Sequence, residues 1–97
     1  MLDQLKLEDF QPLVGHSLNL GDGTSAVALE LTEARALKSP SPRSAPSFAL
    51  ILRQNGAQQS FGQGLYRLEH PSLGPLDLFV VPIGPDGAGM CYEITFN

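Results

Sequence analysis

Leu76-Asp77-Leu78-Phe79-Val80-Val81 decides the fold. The six residues follow the breaks at Pro71 and Gly74 and form the strongest β segment in the chain, dense in apolar and β-branched side chains. Both faces are apolar except at Asp77. A strand of that kind is expected at the centre of a sheet, or with its second face covered by a helix.

Downstream, Gly84-Pro85-Asp86-Gly87 fits a turn with proline in its second position. Met90, Tyr92, Ile94 and Phe96 then alternate with Cys91, Glu93 and Thr95, a half-buried last strand. Upstream, Leu65 to Glu69 makes another short strand. Phe48, Leu50 and Leu52 alternate with Ala49, Ile51 and Arg53, and Asn55-Gly56 follows. That dipeptide tolerates positive φ angles, so it is expected at the tip of a two-strand hairpin. Ser39 to Pro46 holds three prolines and no apolar pattern, which predicts an exposed loop. Val27, Leu29 and Leu31 alternate with polar or small residues, and Gly21-Asp22-Gly23 turns them back on Ser17 to Leu20 as a hairpin. Only between Leu5 and Val14 does the spacing change: Leu7, Phe10, Leu13 and Val14 suit one short helix ended by Gly15, with Pro12 in its first turn.

The pattern predicts an all-β domain over residues 1–97: an antiparallel meander of about six short strands, closed into a small barrel or folded as a sandwich, with one short N-terminal helix. The expected core is Phe10, Leu13, Val27, Leu29, Leu31, Phe48, Leu50, Leu52, Leu68, Leu78, Val80, Tyr92, Ile94 and Phe96.

Composition narrows the function. Ninety-seven residues with 42% hydrophobic and 16% charged content can build one core. The formal charge is −4 and the six basic residues are scattered, a pattern that argues against nucleic-acid binding. The single cysteine cannot form an internal disulfide, which favours a reducing compartment. No apolar run approaches the ~20 residues of a membrane span, and the first residues lack a signal peptide's basic start and apolar stretch, so the reading is cytoplasmic with no membrane partner.

Candidate chemistry is sparse. His16 and Ser17 are neighbours, but adjacent strand residues point to opposite faces and cannot share a hydrogen bond. Two histidines and one cysteine match no zinc spacing, and Gly84 to Gly89 is not a phosphate-binding order, so neither metal nor cofactor is expected. Cys91, His70 and Asp86 supply the residue types of a nucleophile, a base and an orienting carboxylate. If a rim gathered these three beside Tyr66, the chain would be a small-ligand-binding or hydrolytic barrel. Cys91 is otherwise expected to be unreactive, since its chain neighbours carry no positive charge, and His70, ahead of Pro71, to bond a backbone carbonyl.

The stretch from Gly64 through His70-Pro71, Leu73-Gly74 and Gly84-Pro85-Asp86-Gly87 to Asn97 resembles a family of small bacterial proteins of unknown function, and Leu7 to Gly15 is similar to that family's start. The resemblance brings no activity with it. It implies a place beside phage-tail-collar-like fibre proteins, as an accessory or assembly partner. With no catalytic constellation in the pattern, the leading expectation is a non-enzymatic binding or structural module whose partner is another protein.

Overall fold

Alternating side chains make strands that are apolar on one face, and a small domain hides that face most completely by rolling the sheet into a closed cylinder. In the computed structural model, which describes residues 5–38 and 46–96, six antiparallel strands do this. They are β1 (Ser17–Gly21), β2 (Ala26–Ala36), β3 (Phe48–Asn55), β4 (Gly64–His70), β5 (Gly74–Pro85) and β6 (Gly89–Phe96). Around the barrel the order is β1-β2-β3-β6-β5-β4. Two three-strand meanders, β1-β2-β3 and β4-β5-β6, are thus joined along two seams, β3 with β6 and β1 with β4. The architecture is a barrel, not a sandwich.

The β3–β6 seam runs from Phe48↔Phe96 to Asn55↔Gly89, whereas β1 meets β4 only at Leu20↔Leu68 and Gly21↔Arg67. The two long strands bend to fit so narrow a cylinder. β2 carries a bulge between Leu31 and Glu33, where the Thr32 hydroxyl donates to the Ile51 carbonyl at 3.1 Å, and β5 carries one between Pro82 and Gly84. Pro82 lies past Val80, where β4 ends, so β5 there has a registered neighbour only in β6. A residue without an N–H is tolerated in a strand at such a position.

The short helix is present as two successive 3-10 turns, Leu7–Asp9 and Gln11–Leu13. An α-helix could not run through: Pro12 has no N–H to give the Glu8 carbonyl and its ring would collide there. The Lys6 N–H donates to Asp9 Oδ2 at 2.9 Å, and Gly15, at φ 94°, turns the chain so that its N–H reaches the Leu31 carbonyl at 2.8 Å. This segment is folded under one end of the barrel with Phe10 as its plug. Phe10 is fully buried, with ring centroids 5.8 Å from Phe48, 5.7 Å from Phe96 and 5.2 Å from His70.

Several expectations need correction. Asn55-Gly56 does not tip a hairpin, because β3 pairs with β2 and β6 and not with β4. Gly56 takes φ 80° and Asn55 stays at negative φ, while the Ala57 N–H donates to the Gln54 carbonyl at 3.2 Å. That is a type II turn, which sends the chain across the barrel mouth. The second face of β5 is not covered by the N-terminal segment: Phe79 and Ile83 are 52% and 51% exposed. The β5–β6 turn spans Asp86 to Ala88, so Pro85 is the last strand residue, opposite Met90. Leu13 and Val27 are only partly buried, and Leu5, Leu18, Leu20, Leu76 and Met90 join the core. The proline-rich loop, 39–45, lies outside the described residues.

One glycine is set by packing. Gly89 faces Asn55 across the β3–β6 seam, and a Cβ there would overlap the Gln54 carbonyl oxygen and sit 2.9 Å from Asn55 Cα. Gly89→Ala should therefore cost about 1–3 kcal/mol, the usual range for overpacking, by urea unfolding. A loss below ~0.5 kcal/mol would show that the seam yields locally.

Candidate functional site

The four residues of the proposed rim do not meet. β4 runs from Gly64 at the mouth to His70 at the Phe10 end, and the 12-residue β5 returns from Gly74 to Pro85, roughly 35 Å of strand at about 3.3 Å per residue. His70 and Asp86 are therefore at opposite ends of the barrel. His70 is buried and fully engaged: Nε2 donates to the Asp9 carbonyl at 2.7 Å, while Nδ1 accepts the N–H groups of Ser72 (3.0 Å) and Leu73 (3.1 Å). It ties the β4–β5 turn to the N-terminal plug.

Asp86 and Cys91 do come together, with Arg53 between β3 and the β5–β6 turn. Asp86 Oδ1 accepts the N–H of Ala88 (2.9 Å) and of Gly89 (3.1 Å), and Oδ2 pairs with Arg53 Nη1 at 3.0 Å. These bonds, the Ala88 N–H first and then Arg53, lower its carboxyl to a pKa of about 2. A carboxylate so committed cannot exchange protons near neutral pH. Arg53, which stands opposite Cys91 on β3, is the positive neighbour that the chain order hid. Its charge is shared with Glu30 at 3.3 Å, and burial, followed by Asp86, pushes the Cys91 thiol up. Native Cys91 should therefore label more slowly than free cysteine at neutral pH, with its reactivity rising only at more alkaline pH. Denaturant should abolish the difference; native labelling at the free-cysteine rate would mean that the thiol is open and activated.

Tyr66 belongs to the mouth. Its ring meets Phe61 edge-on at 4.9 Å, and its single hydroxyl proton is shared between the carbonyls of Phe61 (3.1 Å) and Gly62 (3.0 Å). Phe61 in turn lies flat on Tyr92, centroids 4.2 Å apart and planes 10° apart, with its N–H on the Tyr92 hydroxyl at 3.2 Å. Phe61 thus closes the mouth as Phe10 closes the other end. Beside it a pocket of about 80 Å³ is lined by Leu20, Asp22, Ser25, Val27, Phe61 and Tyr66. Asp22 is committed to its own turn, accepting from Thr24 N (3.0 Å) and Ser25 N (3.1 Å), which lowers its carboxyl to about 2. Among the described residues no three His, Cys, Asp or Glu side chains are grouped to hold a metal.

The outer surface is divided. On the β2-β3-β6 side carboxylates meet arginines: Arg53 with Glu30 and Asp86, Arg35 with Glu33 and Glu93, each at 3.4 Å. On β4 and β5 the Arg67–Asp77 pair, at 3.0 Å, gives way toward the mouth to Leu65, 71% exposed, directly opposite Phe79, with Ile83 beyond. The warning was in the sequence, because Leu65 shares a strand face with Arg67 and Glu69, where the other residues are charged. The Tyr92–Phe61–Tyr66 arrangement left no such mark, since it joins residues 31 apart.

Fold and surface define a class: small closed antiparallel barrels with both ends plugged by aromatic side chains, an interior filled by the core, and an apolar strip on the outer face of β4 and β5. The chain belongs to the DUF6916 family, a domain of unknown function, over residues 5–96. No curated protein and no solved structure was found to match it.

Proposed function

We propose that the protein is a non-enzymatic binding module that docks another protein on the outer face of β4 and β5. The observation that carries this reading is the Leu65, Phe79 and Ile83 strip, all three half or more exposed, beside the Arg67–Asp77 pair and across the barrel from the other ion pairs. Single exposed apolar residues need no explanation, but a cross-strand pair extended by a third marks a place where contact with a partner removes apolar area from water. Rim charges of the kind found on the other side contribute little affinity by themselves. On this reading the protein works in the cytoplasm, where Cys91 stays a thiol, and the first partner to test is a phage-tail-collar-like fibre protein.

The test is co-purification of that fibre protein with the tagged chain, and with Leu65→Ser/Phe79→Ser and Glu33→Gln variants of unchanged fold. Loss of the complex in the strip variant alone supports the reading. Equal recovery with all three places the contact elsewhere; recovery with none removes the fibre protein as partner, and capture from the native cell, compared across the same variants, then decides whether the strip binds anything.

A further inference from the structure

We propose that the barrel mouth is a recognition site for an aromatic residue carried on an extended peptide, and that Phe61 occupies it as an internal stand-in. This deepens the binding-module reading by naming the partner's chemistry.

Four contacts define the site. The Tyr92 ring offers a flat face at 4.2 Å and the Tyr66 ring an edge at 4.9 Å, so together they select a planar side chain. The two hydroxyls address the main chain of the same residue: Tyr92 accepts its N–H and Tyr66 donates to its carbonyl. Aromatic ring, N–H and C=O are the features of a phenylalanine or tyrosine within a peptide. None of them requires that residue to belong to this chain.

The connection is fastened at Gly56 and Ala57, whose N–H groups donate to the Ala88 and Gln54 carbonyls, and at Phe61 itself, but not between them. Residues 56–63 hold neither helix nor strand, and Gln58, Gln59 and Ser60 make no hydrogen bond among the described residues. Gly56 and Gly62 flank Phe61 at φ 80° and 89°, conformations that glycine adopts without strain. A connection with so few bonds opens more readily than the strands it spans. The 80 Å³ pocket beside Phe61 gives an incoming ring a place to lodge as Phe61 leaves. Leu65 lies on the outer face one residue from Gly64 at the mouth end of β4, and Tyr66 points inward, so a peptide lying along the apolar strip reaches the rim and turns inward there to meet Tyr66.

The experiment titrates N-acetyl-L-phenylalanine amide and N-acetyl-L-leucine amide into the full chain, as wild type, Phe61→Ala and Phe61→Ala/Tyr92→Phe, reading the Tyr66 and Tyr92 ring signals by NMR. Phe61→Ala should bind the phenylalanine amide about ten-fold more tightly than the wild type does, and about ten-fold more tightly than it binds the leucine amide. Tyr92→Phe should weaken that binding. A folded Phe61→Ala that binds neither amide, or binds no better than wild type, overturns the proposal and leaves Phe61 a structural plug. If Phe61→Ala does not fold, hydrogen exchange on the wild type decides: a Phe61 amide exchanging faster than those of β3 and β6 supports a plug that opens alone, and equal protection overturns it. The strip variant leaves Phe61, Tyr66 and Tyr92 in place, so the outer-face reading and this one fail separately.

Discussion

Deleting residues 92–97 should leave no cooperatively folded protein. The deletion takes Tyr92, Ile94 and Phe96, all 5% exposed or less, out of the core, and each is worth about 1.5–3 kcal/mol when buried. That loss alone approaches the ~5–15 kcal/mol stability of an ordinary domain. It also removes the β6 partners of Phe48 to Leu52, so the cylinder opens and β3 acquires a raw edge that invites aggregation. Thermal melts and solubility of the truncated chain provide the check. A soluble product with an unchanged cooperative melt would mean that β6 is peripheral to the barrel.

Phe10→Ala should cost about 3–5 kcal/mol, the range for removing a large aromatic from a packed core. Phe10 touches Phe48, Phe96 and His70 at once, and the stacked Phe48–Phe96 pair, centroids 4.3 Å apart, is the floor that it covers. Without the ring, that floor faces a cavity or water. For a domain of this length the midpoint should fall by roughly 15–30 °C. Phe10→Leu, which keeps most of the apolar volume, should lose much less. If Phe10→Ala melts within ~3 °C of wild type, the N-terminal segment is an ornament on a barrel that closes itself.

The candidate site was less legible than the fold. His70, Asp86, Cys91 and Tyr66 lie within 26 residues of one another, which made a shared rim plausible on paper. A strand, however, carries its ends far apart, and β5 puts His70 and Asp86 at opposite ends. Cys91 and Asp86 meet because a hairpin returns one strand beside the other, and Arg53 joins them only through the β3–β6 seam, 33 residues from Asp86.

The sequence by itself determined what depends on near neighbours. Alternation of period two located β2, β3 and β6, because successive side chains in an extended chain point to opposite faces and only one face can enter the core, while β-branched density and turn residues located the others. Pro12 kept the helical segment short and Gly15 ended it for equally local reasons, a missing N–H and a positive φ. Tertiary structure alone decided what depends on which strands become adjacent. Asn55-Gly56 could serve a hairpin or a crossover, and the choice fell to the pairing of β3 with β6, which left residues 56–63 to span the mouth. Phe79, on a strand apolar on both faces, fits a buried sheet as well as an exposed strip. Only closure of the cylinder, which leaves each strand one inside and one outside, put Leu78 and Val80 in the core and Phe79 in water.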